Sequence, residues 1–226
     1  MLQKLARIVS NPVRIREHIG KKYYQLGDKY KIVGPTEIYD EKYYERRLLN
    51  AVREDTNYMG NMLIREFNPN SIIDIGCGVG NLLEPFLANG IKIKGIEGNP
   101  AAFEYAVVPK ENLTQHDLRE PYYPECEYDL AISIEVAEHL SKRFADTFVD
   151  TIARCSGTAV ITAATPGQGG THHVNEQPHE YWISKFEERN FLFDEQKTKI
   201  FRRELDLETR TNIPENILVF HQIPSD

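Results

Sequence analysis

A chain of 226 residues carries 27 Lys and Arg against 34 Asp and Glu, a formal net charge of −7. Its 41% apolar and 27% charged residues are ordinary globular usage, which excludes a disordered or collagen-like chain and suits one domain with a short appendage. The acidic balance argues against a general nucleic-acid or anionic-membrane binder, because both need cationic faces.

Three scattered cysteines, Cys77, Cys126 and Cys155, form neither a disulfide framework nor a thiolate zinc site, and fit reduced thiols in a cytoplasmic compartment. No apolar run approaches the ~18 residues of a transmembrane helix. The first sixteen residues hold Lys4, Arg7, Arg14 and Arg16 and no acid, interrupted by Pro12. An ordinary helical arm is expected there rather than a targeting peptide or a membrane-surface helix. Residues 1–67 read as an N-terminal helical arm or lid, rich in Tyr and Lys, with a break at Gly34-Pro35. Within it, Asp40 to Phe67 predicts one long helix with Tyr44, Leu48, Ala51 and Val52 on its apolar positions, weakened at Gly60 and ended by Asn68-Pro69-Asn70.

Residues 68–226 alternate strands and helices. Ser71–Ile75 is a β-branched strand entering a glycine turn, and Asn81–Asn89 a helix with Pro85 near its first turn. Ile91–Ile96 alternates as a strand, Leu113–His116 is a weaker one, and Asp129–Ile134 reads as a buried strand. Val136 to about Arg154 predicts a helix, Thr158–Ala163 a strand, and a further helix begins near Glu180. Lys197–Arg203 and Asn216–Gln222 are expected as a final antiparallel pair of strands. This order predicts an α/β fold, a mainly parallel sheet with helices on both faces, whose ligands lie beyond the carboxyl ends of the strands.

The run IIDIGCGVGN places Gly76, Gly78 and Gly80 at every second position after Asp74, with a helix opening behind them. Glycine permits positive φ and close approach of a ligand to the main chain, and the helix start offers free N–H donors. A dinucleotide loop wants its third glycine three residues after the second, where Asn81 stands here. Asp74 is ill suited to a pyrophosphate and suits a ligand bearing an amino group and a sulfonium. Glu97 ends the second strand, 23 residues after Asp74, where a carboxylate can accept both hydroxyls of a ribose. Asp117, in Gln115-His116-Asp117-Leu118, can accept from an adenine amino group.

Together, Asp74-x-Gly76-x-Gly78-x-Gly80, Glu97, Asp117 and DLAISIEVAEHL resemble the class I S-adenosylmethionine-dependent methyltransferases over about residues 68–223. The resemblance implies a Rossmann-like, seven-stranded sheet with a reversed final strand. It also implies Asp74 and the glycines near the methionine part, Glu97 on the ribose and Asp117 near adenine. Cys77 and Glu135 complete the candidate cofactor-binding set, Cys77 in a variable position that suits a small buried residue.

Glu135-Val136-Ala137-Glu138-His139 follows the fourth strand. On a helix these spacings put Glu135, Glu138 and His139 on one face. Downstream, GQGGTHHVNEQPHEYW offers His172, His173 and His179. The arrangement resembles the small-RNA 3′-end ribose methyltransferases, whose Glu-x-x-Glu-His and later histidine bind a metal, and also the ubiquinone-biosynthesis O-methyltransferases. By spacing back from Tyr181-Trp182, His173 is the match for the later ligand. Glu135, Glu138, His139 and His173 are therefore candidate ligands for Mg²⁺ or Mn²⁺, and His139, His173 and Glu138 the candidate catalytic residues. A cation would lower the pKa of an acceptor hydroxyl, and a metal-free histidine could take its proton instead.

HHVNEQPHEYWISKFEERNF also resembles a segment of methyltransferases from bacterial glycan and small-metabolite gene clusters. Tyr181 and Trp182 are expected to pack the core, and Tyr39–Tyr44 either to lid the cofactor site or simply to pack. The expectation is a cytoplasmic S-adenosylmethionine-dependent methyltransferase acting on oxygen of a small hydroxylated molecule, with nucleic acid disfavoured as a partner. The rivals are an RNA ribose methyltransferase, a non-catalytic cofactor-binding protein, and a nicotinamide dehydrogenase that fails on the glycine spacing. Acceptor and oligomeric state stay open.

Overall fold

The structure, a computed structural model, describes residues 41–209 and 212–223. The basic N-terminal segment, the Gly34-Pro35 break and Tyr39 lie outside the described residues. The expected helix from Asp40 to Phe67 is two: α1 (Glu41–Arg47) and α2 (Asn50–Phe67). The chain is extended at Leu49, with φ −62 and ψ 139. The break lets Tyr44 pack with Val79 and Ala102 beside the glycine turn while Met59, Met62 and Leu63 of α2 join the core under the sheet. Gly60 does not mark a weak point. A Cβ there would lie 2.3 Å from the Pro85 ring, so the missing side chain is what lets the next helix approach. Asn68, at φ 45, ends α2 with its N–H on the Ile64 carbonyl.

The strands are β1 (Ser71–Ile75), β2 (Lys92–Glu97), β3 (Leu113–Gln115), β4 (Leu130–Ser133), β5 (Thr158–Thr162), β6 (Phe191–Phe193) and β7 (Ile217–Gln222). They form a seven-stranded sheet in the order β3-β2-β1-β4-β5-β7-β6. The first five run parallel, and β7 is antiparallel to both β5 and β6. This is the Rossmann-like, seven-stranded sheet with a reversed final strand that the resemblance implies. Neighbouring β1 and β4 lead to opposite halves of it, so the turns after these two strands flank the switch point where ligands bind.

The remaining helices are α3 (Glu84–Ala88), α4 (Ala145–Cys155), α5 (His179–Glu187), α6 (Glu195–Glu204) and α7 (Ile213–Asn216). Helices α4 and α5 cover one face, where Phe148, Ile152, Trp182 and Phe186 meet Ile73, Ile75 and Phe220. Helices α2, α3 and α6 cover the other, where Leu63, Phe86 and Phe201 meet Ile72, Ile132 and Val219. Both faces of β1, β4 and β5 are buried, which explains their mainly apolar runs, broken in β1 by Asp74. Trp182 is fully buried, edge-on to Phe148.

Three further expectations are corrected. Lys197–Arg203 is helical, within α6: Asp194 caps Lys197 N at 2.8 Å, and Thr198 and Phe201, three apart, turn into the core. The sixth strand is Phe191–Phe193 instead. The stretch from Val136 to Arg154 is interrupted, with 3₁₀ turns at Ala137–His139 and Lys142–Phe144 before α4 begins. Asn81–Asn89 likewise divides into a 3₁₀ turn, Asn81–Leu83, and α3, with Pro85 in the first turn of the α-helix where its missing N–H is harmless.

Candidate active site

The turn after β1 folds back on β2, with Gly76 N and Cys77 N donating to Ile96 O at 2.8 and 3.0 Å. Gly76 has φ +87, and a Cβ there would stand 2.5 Å from Val136 Cγ2, so only glycine lets the turn pass under the chain that follows β4. Gly78, at φ +56, has open space where a Cβ would point, and it lines the cavity. Gly80 N closes the turn on Cys77 O at 3.0 Å. Asp74 is buried at the end of β1 and lines the same cavity.

Glu97 closes the turn from the tip of β2. Its Oε2 accepts from Gly78 N at 2.9 Å and its Oε1 from Asn99 N at 2.7 Å. Burial holds its carboxyl above the usual range despite these bonds. Tyr44 lies beside Glu97 and Asn99, stacked on Tyr105 at 5.8 Å, and burial followed by the Glu97 charge pushes its hydroxyl pKa up. Cys77 packs toward Gly95, where an added Cβ would meet its Sγ at 2.7 Å. Burial pushes its thiol well up, so it is a small protonated wall residue. Asp117 lines the cavity too, with both carboxylate oxygens held by Arg119 at 2.7–3.0 Å.

Beyond β4 the expected helical face does not exist. Ser133 Oγ donates to Ile75 O at 2.6 Å, tying β4 to β1, and Glu135 takes a left-handed φ of 60. That turn directs Glu135 to Thr162: its N–H donates to Thr162 Oγ1 at 2.7 Å, and Thr162 Oγ1 donates to Glu135 Oε1 at 3.3 Å. Glu135 lines the cavity but stands outside the group whose ligand atoms gather closely enough for a metal ion. The group that gathers is Glu138, His139 and His173, whose ligand atoms lie within 4.8 Å of one another.

Glu138 is fully buried, and among the described residues neither of its oxygens has a hydrogen-bond partner. Burial, then the Glu135 charge, raises its pKa to about 8. His139 lines the cavity with its ring 5.1 Å from His173 and nearly perpendicular to it. Its Nδ1 stands 3.3 Å from His172 O, an acceptor that places the proton on Nδ1 and leaves Nε2 with a lone pair. Burial, then His173, pushes its pKa down to about 3, so the ring stays neutral.

Several wall residues had no sequence signal. Arg47 lies over the Tyr43 ring, 4.5 Å from its centre, and Asn81 Nδ2 donates to Arg47 O at 2.6 Å, so α1 is fastened to the glycine turn. Buried Asp55 of α2 accepts from Glu208 N and Thr209 N at 2.9 and 2.7 Å, which sets Thr209 against the cavity. Gln168–Thr171 form the wall above the histidines. One continuous cavity of about 930 Å³ runs from Asp74 and Glu97 to His139 and His173, at the upper end of ordinary ligand pockets. No helix among the described residues is long and apolar enough to cross a membrane.

A family model described as a methyltransferase domain matches residues 44–205. The probable chloroplastic tocopherol O-methyltransferase of Oryza sativa subsp. japonica is 31% identical over 99 residues, 39% of this chain. The matched stretch covers 26% of that relative's length. The sugar N-methyltransferase KedS8 of Streptoalloteichus sp ATCC 53650 superposes with a TM-score of 0.62 at 14% identity, over 85% of this chain and 98% of that one. The magnesium protoporphyrin IX methyltransferase ChlM of Synechocystis PCC 6803, solved with bound SAH, superposes with a TM-score of 0.56 at 15% identity, over 91% and 99%. At these identities the two structures share the fold.

Proposed function

The chain belongs to the methyltransferase-domain family and is a class I S-adenosylmethionine-dependent methyltransferase, and on that premise we propose that it methylates an oxygen of a small hydroxylated acceptor, a sugar or metabolite, in the cytoplasm. The observation that carries this reading is the single cavity joining the glycine turn and Glu97 to His139 and His173. When bound, S-adenosylmethionine supplies a methyl group already activated on a sulfonium. The chain's work is then to align an in-line attack and dispose of one proton. Asp74 faces the amino group, Glu97 the ribose hydroxyls and Asp117 the adenine edge, while Gly78 leaves the main chain bare for the ligand. His139 presents Nε2 to the acceptor hydroxyl, and His173 walls the far side.

Glu138, His139 and His173 also fit a divalent cation. A fully buried carboxyl with both oxygens unpartnered must either hold a proton, as its raised pKa allows, or meet a positive charge, and a neutral imidazole anchored through Nδ1 is prepared as a ligand. Two imidazoles and one carboxylate favour Mn²⁺ over Mg²⁺. A cation held there would lower the pKa of the acceptor hydroxyl. The cavity size and the net charge of −7 support a small acceptor over RNA.

The test is transfer of labelled methyl from S-adenosylmethionine to a panel of sugars, phenols and amines, before and after exhaustive chelation. The proposal expects labelled ethers, loss of turnover on chelation, and recovery with Mn²⁺. Turnover untouched by chelation removes the cation and leaves His139 to take the proton as a weak base, its pKa being depressed by burial. Label appearing only on amines overturns the oxygen acceptor.

A further inference from the structure

In the loop between β5 and α5, one side chain that the chemistry above does not use fastens two backbone N–H groups. Glu176 accepts from Gly167 N through Oε2 and from Gly169 N through Oε1, each at 2.9 Å. Its side chain is only 13% exposed, and the same Oε1 stands 3.3 Å from His173 Nδ1, off the line of a hydrogen bond. The glycines it holds are at φ +91 and +71, with open space where a Cβ would point. The next glycine, Gly170, lies flat on the His173 ring: an added Cβ would be 2.4 Å from Nε2. Gln168, Gly169, Gly170 and Thr171 form the cavity wall over the histidines.

The geometry points to Glu176 as a positioning residue that latches the 167–171 loop shut over His173 and so governs access to the acceptor end of the cavity. Two charge-assisted bonds to backbone N–H groups are strong local fastenings. The segment they fasten makes few others: Gln168 N donates to Thr165 O at 3.1 Å, and Gln168 Oε1 accepts from Asn216 Nδ2 at 2.9 Å. Its three glycines carry little torsional resistance to swinging outward. When the latch opens, Gly170 lifts from His173 and the ring meets solvent. When it closes, Gly170 excludes water from one side of the ring. The inference rests on the acceptor end assigned above only for what the gate serves. The test reads the loop itself, so failure of that assignment leaves the result standing.

The test is site-resolved carbethoxylation of histidines by diethylpyrocarbonate, followed by mass spectrometry on the full chain. His116 and His221, away from this loop, are internal standards. In Glu176→Gln, the His173 rate relative to those standards is expected to rise roughly tenfold or more, the change that loss of one charged hydrogen bond implies for a local opening equilibrium. The imidazole nitrogen shifts of His173 move as well, while those of His221 and the affinity for S-adenosylhomocysteine do not. Gly170→Ala, which forces the loop off the ring with Glu176 intact, accelerates His173 in the same way. An unchanged His173 rate in both variants overturns the latch. Acceleration of all three histidines together with a lower Tm also overturns it, because that is general loosening and not a gate.

Discussion

Glu97→Gln tests the cofactor assignment at the level of two hydrogen bonds. The carboxylate takes Gly78 N at 2.9 Å and Asn99 N at 2.7 Å and lines the cavity, so its outer lone pairs are those a ribose would use. The amide has the same shape but only one acceptor oxygen. Its NH₂ faces a backbone donor or leaves one ribose hydroxyl without an acceptor. Hydrogen bonds to a charged group are worth about 1.5–3 kcal/mol against about 0.5–1.5 for neutral ones, so two such losses sum to roughly 2–3 kcal/mol. That corresponds to a Kd for S-adenosylhomocysteine weakened roughly 30- to 150-fold. Burial already disfavours the charge at Glu97, so removing it offsets the loss of one backbone hydrogen bond to the amide NH₂, and Tm is expected to change little. Calorimetric titration of wild type and variant, with thermal melts beside it, separates the two effects. A Kd within about threefold of wild type at unchanged Tm would refute the ribose assignment, since loss of charge-assisted bonds cannot be that small.

Three further outcomes follow from named contacts. His139→Ala is expected to lower turnover by roughly 10²-fold or more while the Kd for S-adenosylhomocysteine stays close to wild type; equal loss of both would place His139 on the cofactor instead. Gly60→Ala should destabilise, although alanine is the better helix former by about 1 kcal/mol, because its Cβ must displace a rigid proline ring 2.3 Å away. Overpacking of about 1–3 kcal/mol outweighs the gain, so Tm falls by a few degrees; a higher Tm contradicts the packing account. Asp146 bonds Lys185 at 2.7 Å and Arg189 at 3.1 Å, and the Lys185 hydrogen bond, the largest cause, holds its pKa below the usual carboxylate value. A depressed folded pKa adds stability above the unfolded value and loses it as pH falls through the folded one. Asp146→Asn should therefore cost about 1 kcal/mol or less at pH 7, the carboxylate being 58% exposed, and nothing once acid has protonated the wild type. A deficit that persists in acid would assign the loss to packing.

The strands were legible because burial on both faces writes mainly apolar runs into β1, β4 and β5, and the glycine turn because positive φ beside Val136 admits no other residue. Lys197–Arg203 misled because Lys-Thr-Lys-Ile alternates like a strand, whereas Thr198 and Phe201 are spaced as a helix face and Asp194 supplies the cap. The turn at Glu135 was hidden for another reason. Glutamate is an uncommon occupant of the left-handed region, so nothing in Glu-x-x-Glu-His announces that the first acid leaves the group. Asp117 and Arg119 pair two residues apart and were readable in principle. Arg47 on the glycine turn, Asp55 on the Thr209 loop and Glu176 on Gly167 are contacts of the folded chain that no local pattern encodes.

Competitive calorimetry on the full chain addresses the main assertion head-on. S-adenosylhomocysteine should bind with one site per chain and displace nothing when NAD is present in excess, because Asp74 and the glycine spacing refuse a pyrophosphate. Heat from NAD that S-adenosylhomocysteine cannot abolish, or silence from S-adenosylhomocysteine itself, would contradict the assignment of the Asp74–Gly80 turn.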